Sequence, residues 1–247
     1  MAAVTAPGAG ARVRMLLRSF AVQGSWNYQT LIGTGLAFVL VPALREVYAG
    51  DPEGLRRALG RHTELFNSHP YLAGVAAGSI ARLEAEGAPP ETVARFKAAV
   101  RGSLGSLGDR LVWLMWRPMA VLLGLALVLA GAAWWVGALA FLLVFNALHL
   151  WMRVWGLRAG LRDGLQIGAT LRSAPFQAMG DRAAQAGSAL AGFAAALAVA
   201  QPGSRPWEWG AGAVVAFLGI VLGPRVRPVA AGVMLLALVA GLVLART

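Results

Sequence analysis

The sequence predicts an all-α integral membrane protein: an amphipathic N-terminal helix, then re-entrant or hairpin helices, then several C-terminal transmembrane helices. Three observations carry this reading. Hydrophobic residues make up 58% of the 247-residue chain and charged residues only 13%, against about 25% charged in a soluble domain. Met119 to Trp151 contains no charged side chain, and it exceeds the roughly 20 residues that cross about 30 Å of hydrocarbon. Charge is also partitioned, with 13 of 22 basic and 8 of 11 acidic residues falling between Arg12 and Pro118.

The formal net charge is +11, yet the pattern excludes a nucleic-acid platform. Basic residues are scattered, no run is longer than Arg56-Arg57, and no aromatics interleave with them. Arginines flanking apolar segments instead set topology and meet anionic lipid heads. There is no cysteine, which removes disulfides, thiolate catalysis and cysteine-based metal sites. Residues 1–11 are small and uncharged, without the basic and apolar regions of a signal peptide. They read as a disordered N-terminus ahead of one membrane domain over 12–247.

Val13, Leu16, Leu17 and Phe20 recur at helical spacing with Arg12, Arg14 and Arg18 off that stripe. This is the pattern of a helix lying in the membrane interface, and equally of a core-facing helix. Leu31 to Val47 is apolar but short and interrupted by Pro42, so it predicts a hairpin or re-entrant element. Asp51 to Glu64 reads as a polar helix with Asp51 as N-cap and Pro52 at its first position. Glu84 to Arg101 reads as a solvent-exposed connection, where Pro89-Pro90 stops one helix and Glu91 opens the next. Met119 to Trp151 fits one long tilted helix or a hairpin turning near Gly137. Ala183 to Ala200 is a weaker span, and Trp207 to Leu222 and Val229 to Leu244 are stronger ones. The proline-bounded basic turn Gly223 to Pro228 separates those two.

Three segments, in order, carry a family resemblance. They are Arg18-Ser19-Phe20-Ala21-Val22-Gln23-Gly24-Ser25-Trp26-Asn27-Tyr28; His62-Thr63-Glu64-Leu65-Phe66-Asn67-Ser68-His69-Pro70-Tyr71-Leu72; and Gly105-Ser106-Leu107-Gly108-Asp109-Arg110-Leu111-Val112-Trp113 with Arg117-Pro118. Phe145-Asn146 and Arg153-Val154-Trp155-Gly156 follow. From Arg14 to Gly168 the chain resembles the IID permease subunits of the mannose/fructose/sorbose phosphotransferase systems. The resemblance implies an IIC/IID-like fold in the bacterial inner membrane, crossing it several times. It implies a IIC membrane partner, with IIC–IID pairs assembling further, and inward movement of a mannose-like hexose. Cytoplasmic IIA and IIB phosphocarriers then phosphorylate the sugar, so the chain itself is not an enzyme and needs no cofactor.

Within those segments, Ser19, Gln23 and Asn27 stand at i, i+4, i+8 and would line one polar face of a helix. Their uncharged groups offer donors and acceptors to vicinal hydroxyls, so Gln23 and Asn27 are candidate sugar ligands. The competing reading has them satisfy backbone at a bent helix. His62 and His69 lie two helical turns apart, but Pro70 disfavours a helix at His69 and the chain is poor in metal ligands. Asn67 and His69 are therefore expected at a polar re-entrant turn beside the sugar, with helix capping as the alternative. Gly102, Gly105 and Gly108 would let backbone approach a helix or ligand. Asp109 beside a membrane is costly unless paired or wet, which makes it the strongest single candidate, with Arg110 or Arg117 as a structural partner in the other reading. His149 is expected to be a hydrogen-bonded structural histidine. Arg153, Arg158 and Arg162 with Asp163 are expected to form a cytoplasmic-face cluster.

Two positions depart from the family pattern, Gln29 after Trp-Asn-Tyr and Arg110 after Gly-Asp. They motivate the alternative of a non-transporting or regulatory membrane protein that keeps the fold. A membrane enzyme built on His62, His69 and Asp109 lacks any recognisable nucleophile or metal signature.

Overall fold

The computed structural model describes residues 7–199 together with Gly210, Val214 and Phe217. The expected spans Trp207 to Leu222 and Val229 to Leu244, and the turn between them, lie outside the described residues. In order, the elements are α1 (Ala9–Ser19), α2 (Gly33–Val47), α3 (Pro52–His62), α4 (Ala73–Ala85) and α5 (Pro90–Gly108). A π-helical segment Asp109–Trp116 leads into α6 (Arg117–Leu129), and α7 (Trp134–Asp163), a 3₁₀ turn, α8 (Ile167–Ser173) and α9 (Phe176–Val199) follow. Among the described residues there is no strand, and extended pairing is confined to the isolated bridges Asn27–Leu31 and Leu31–Phe66.

Two helical stretches, Pro90–Leu129 and Trp134–Ala198 (the second broken between α7, α8 and α9), contain windows long and apolar enough to cross a membrane. In the most apolar window of the second, only 17% of residues are buried inside the protein. An apolar surface left so largely uncovered needs lipid as its solvent, and the protein is an all-α membrane protein.

The chain groups into two compact units. The first takes the described residues up to Arg110 together with Asn146–Pro175. The second takes Leu111–Phe145 and the described residues from Phe176 on.

In the first unit, α1 packs on α2, and α2 packs on α3 and α4. Helix α1 begins at Ala9, so the last residues assigned to the disordered terminus are helical, with Ala11 buried. Its inward side is Ala11, Met15 and Ser19, whereas Val13 and Leu17 are 57% and 64% exposed. The predicted apolar stripe thus turns away from the protein, as an interfacial helix presents itself to lipid. Helix α2 is one straight-through element with Pro42 inside it rather than a hairpin. Asp51 caps α3 as expected, accepting a hydrogen bond from the Gly54 N–H at 2.8 Å, with Pro52 in the first turn.

Helices α4 and α7 cross through paired glycines. A Cβ on Gly78 would lie 2.5 Å from the Leu157 carbonyl oxygen, and one on Gly160 would lie 2.3 Å from that of Val75. Gly74-x-x-x-Gly78 and Gly156-x-x-x-Gly160 therefore form a small-residue crossing in which backbones touch.

In the second unit, the part of the uncharged stretch from Met119 to Phe145 is a hairpin, but its turn is not near Gly137. It falls between α6 and α7 at Gly131, which adopts φ 96°, a left-handed conformation that favours glycine. Gly137 instead packs against Gly124 across the hairpin, where a Cβ on Gly137 would lie 2.5 Å from the Gly124 carbonyl oxygen. Helix α9 packs on α6 around Met115, Met119 and Ala183. It contains the weaker predicted span as far as Val199, and Ala200 lies outside the described residues.

Candidate functional site

The parts of the resemblance-carrying segments that lie in the first unit, as far as Arg110 in the third, converge there. The chain leaves α1 at Ser19 through consecutive turns, so the predicted polar stripe does not form. Ser19 is buried, Gln23 is exposed, and Asn27 is half-buried in a separate turn. Asn27 ties that turn together: its Oδ1 accepts from the backbone N–H groups of Gln29 (2.9 Å) and Thr30 (2.8 Å). Its Nδ2 donates to the Ser25 carbonyl (3.2 Å) and to Thr30 Oγ1 (2.8 Å). This is an asparagine acting as a backbone mimic, the role that favours Asn in turns.

The turn closes at Leu31, whose φ of 54° puts a bulky side chain in left-handed territory. Its backbone bonds to Asn27 on one side, and the adjacent residues bond to Phe66 on the other: Ile32 N–H donates to the Phe66 carbonyl (3.1 Å) and Phe66 N–H to the Thr30 carbonyl (3.2 Å). Gly33 completes the approach, since a Cβ there would lie 2.0 Å from the Glu64 carbonyl oxygen. The first and second segments are thus laid side by side. The third joins them at His69, whose backbone N–H reaches the Leu104 carbonyl at 3.4 Å. Gly108 lets the His69 ring in, for a Cβ on it would lie 2.2 Å from the His69 Cβ. Neither Gly102 nor Gly105 meets such a neighbour, so only the last of the three glycines makes the close approach among the described residues.

His69 is buried with its Nδ1 accepting from the Tyr71 N–H at 3.2 Å, and Asn67 is exposed two residues earlier. Asp109 is exposed immediately after Gly108 and forms no ion pair with Arg110 or Arg117. Arg117 lies over the Trp113 ring at 5.1 Å instead. Of the five predicted ligands, the structure brings the segments of Gln23, Asn27, Asn67 and His69 together through backbone pairing, and brings α5 to His69 just before Asp109.

The residue that sequence reasoning misplaced is Arg153. It is 4% exposed, not part of a surface cluster. Its Nη1 donates to the Ser19 carbonyl and to Ser19 Oγ, and its Nε donates to His149 Nε2 at 2.7 Å. Its guanidinium lies over the rings of Phe20 (4.7 Å) and Tyr71 (5.2 Å), a cation–π arrangement with two rings. His149 stacks on Tyr71 at 4.1 Å and bonds Asn146 Oδ1 through Nδ1 at 3.2 Å. Arginine is always the donor, so His149 Nε2 is unprotonated and its Nδ1–H points to Asn146. The expected structural histidine is therefore found, with a partner on each nitrogen. Arg162 and Asp163 do pair at the surface, at 2.6 Å, and Arg158 is exposed.

A second buried polar group also escaped the sequence. Glu84, expected on an exposed connection, is 3% exposed. It accepts from Arg61 Nε (3.0 Å), His62 Nε2 (2.8 Å) and Tyr48 Oη (2.6 Å). Burial pushes its pKa up, but the hydrogen bonds from His62, Arg61 and Tyr48 outweigh that and hold the carboxyl down at about 2. Burial lowers the His62 pKa over the opposing pull of Glu84, so the imidazole is neutral and donates through Nε2. His62 and His69 answer to different partners, and the described residues hold no cluster of three or more His, Asp or Glu placed for a metal ion.

Comparisons with known proteins bear on this arrangement. The model of the "PTS system mannose/fructose/sorbose family IID component" matches residues 9–201. The mannose-specific EIID component of Escherichia coli K12 is 33% identical over 158 residues, covering 62% of this chain and 55% of that protein. The sorbose-specific EIID component of Klebsiella pneumoniae is 34% identical over 163 residues, covering 64% and 58%. The fructose permease IID component of Bacillus subtilis is 32% identical, covering 62% and 56%. Among solved structures, a chain of the mannose transporter ManYZ in complex with microcin E492 is similar with a TM-score of 0.60 and 29% identity, over 75% of this chain and 69% of that one. The chain spans little more than half the length of the curated relatives it matches. With the family model matching residues 9–201, and with the first two segments that carry the likeness paired through their backbones, this chain belongs to the mannose/fructose/sorbose family of phosphotransferase-system IID components.

Proposed function

We propose that this chain is a non-catalytic permease subunit of the bacterial inner membrane, crossing it several times, which with a IIC membrane partner moves a mannose-like hexose inward. The sugar is then phosphorylated by a IIB phosphocarrier that IIA recharges, and IIC–IID pairs assemble into a larger complex. The observation that carries this reading is the convergence of the segments around Gln23–Thr30 and Phe66–Tyr71 in a chain of this family. Relatives named for mannose, sorbose and fructose support a hexose as cargo. The transporter ManYZ supports a second membrane subunit.

The sugar-facing set is proposed to be Gln23, Asn27, Asn67, His69 and Asp109. Gln23, Asn67 and Asp109 are exposed and bring their polar groups to the surface. Asn27 and His69 act chiefly by holding the backbone that presents them, because their polar atoms are engaged in the turns. The test is uptake of labelled mannose, fructose and sorbose in cells lacking their own IID, with this chain and its IIC, IIB and IIA partners supplied together. Uptake that depends on this chain is expected, with Gln23→Ala, Asn67→Ala and Asp109→Ala raising the KM without loss of the complex. Normal uptake in all three variants would overturn the site. Uptake of none of the three sugars by the intact complex would overturn the transport reading.

A further inference from the structure

We propose that Arg153 is a positioning residue whose guanidinium locks the turn after α1 and the His69–Tyr71 segment into one register, setting the geometry in which Gln23 and Asn67 meet the sugar. That the two segments face sugar rests on the proposed function above. The assignment of Arg153 itself rests on its surroundings.

A buried guanidinium is costly unless satisfied, and carboxylates are the usual partners. Among the described residues Arg153 makes no ion pair within 4.0 Å. Its partners are instead a carbonyl, a hydroxyl, an imidazole and two aromatic rings. Each of these sits at a junction. Ser19 is the last residue of α1, and Phe20 is the first of the turn that holds Gln23 and Asn27. Tyr71 directly follows the His69-Pro70 step and takes its own N–H to His69 Nδ1. His149 lies one helical turn before Arg153 on α7 and stacks on Tyr71.

The shape of the cation matters more than its charge. A planar fork donates in two directions while it lies over two rings. A lysine ammonium at the same site keeps the charge but lacks the planar fork whose separate nitrogens reach Ser19 and His149. The turn itself transmits the placement, since its residues are joined in sequence by Val22 N–H to the Ser19 carbonyl (3.3 Å), Gly24 N–H to that of Ala21 (2.9 Å) and Trp26 N–H to that of Gln23 (3.1 Å). Displacing Ser19 therefore displaces Gln23. The α4–α7 glycine crossing fixes the other end of the lever, one turn beyond Arg153 at Gly156.

The test measures the KM and maximal rate of mannose, fructose and sorbose uptake by the complete complex carrying wild type, Arg153→Lys, Gln23→Ala and the double variant. Arg153→Lys is expected to co-purify with its IIC partner at normal yield and raise the KM about tenfold, the size of one lost charged hydrogen bond. The maximal rate should stay within about twofold, the signature of lost binding geometry rather than lost chemistry or folding. Because both changes act through the same turn, the double variant should fall well short of the product of the single effects. A wild-type KM in Arg153→Lys, or fully multiplicative effects, would overturn the positioning role while leaving the sugar site standing. A normal KM in Gln23→Ala beside a raised KM in Arg153→Lys would overturn the coupling to Gln23 and that residue's place in the sugar site. If Arg153→Lys fails to assemble, His149→Phe keeps a ring on Tyr71 while removing the Nε2 acceptor for Arg153 together with the Nδ1–H bond to Asn146. A raised KM is then expected, and an unchanged one would overturn the proposal.

Discussion

At the scale of single residues, the buried Glu84 group makes the clearest predictions. Replacing Glu84 with Gln leaves Arg61 and His62 without their shared anion, and breaking such a buried pair costs about 3–5 kcal/mol. A fall in melting temperature larger than that of Glu53→Gln, whose arginine partners are exposed, is expected in detergent-solubilised protein. The same group sets a pH dependence. The folded Glu84 pKa is about 2, below the ordinary 4.5, so its contribution is complete above 4.5 and is lost as pH falls toward 2. The folded His62 pKa is lowered from 6.5, so below 6.5 the unfolded chain takes up a proton that the fold refuses, and stability again declines with acid. Burial also holds the His69 pKa down to about 4, in the same direction, so melting temperature should drop progressively from pH 7 to pH 4.5, and His62→Gln should lessen that decline without abolishing it. A flat profile in the wild type would contradict the buried neutral histidine. None of this was legible in the sequence, where Tyr48, Arg61, His62 and Glu84 stand in three separate stretches and Glu84 reads as part of an exposed connection.

At the scale of elements, glycine positions divide into those that carry a contact and those that do not. Gly78→Leu or Gly160→Leu would drive a side chain into backbone at less than 3 Å, and the α4–α7 crossing cannot separate without carrying Arg153 with it. Loss of properly folded protein, read as aggregation in size-exclusion chromatography, is the expected outcome. Gly102→Ala meets nothing within 4 Å on the exposed side of α5, and should stabilise by about 0.5–1 kcal/mol through reduced chain entropy. A destabilised Gly102→Ala would show that this glycine touches something after all. The two Gly-x-x-x-Gly pairs stand in the sequence, but spacing alone does not say which helix a glycine faces. Of the glycines at every third residue, Gly102, Gly105 and Gly108, only Gly108 is in close contact. The hairpin of α6 and α7 was legible from its uncharged length, but its turn was not. Gly131 and Gly137 are both small, and only the first takes the left-handed conformation.

At the scale of the whole molecule, the outward apolar surface decides the solvent. Trp134 is 76% exposed and Leu143 63%, and in water such a surface would aggregate. The chain should therefore remain in the membrane pellet after alkaline carbonate extraction and be released only by detergent. Release by carbonate alone would contradict an integral protein.

What the sequence determined by itself is the solvent, the helical class, the N-cap of α3 and the family, because composition, periodicity and local motifs are properties of neighbouring residues. The tertiary structure alone decided what the polar residues do. Ser19, Gln23 and Asn27 left the helix that would have aligned them, since the chain turns at Ser19 where Arg153, 134 residues away, holds its carbonyl. Arg153 looked like one of several surface arginines until folding placed aromatic rings over it. Burial and pairing across such separations depend on which helices meet, and that follows from backbone approach at glycines and from packing, not from any local pattern of charge.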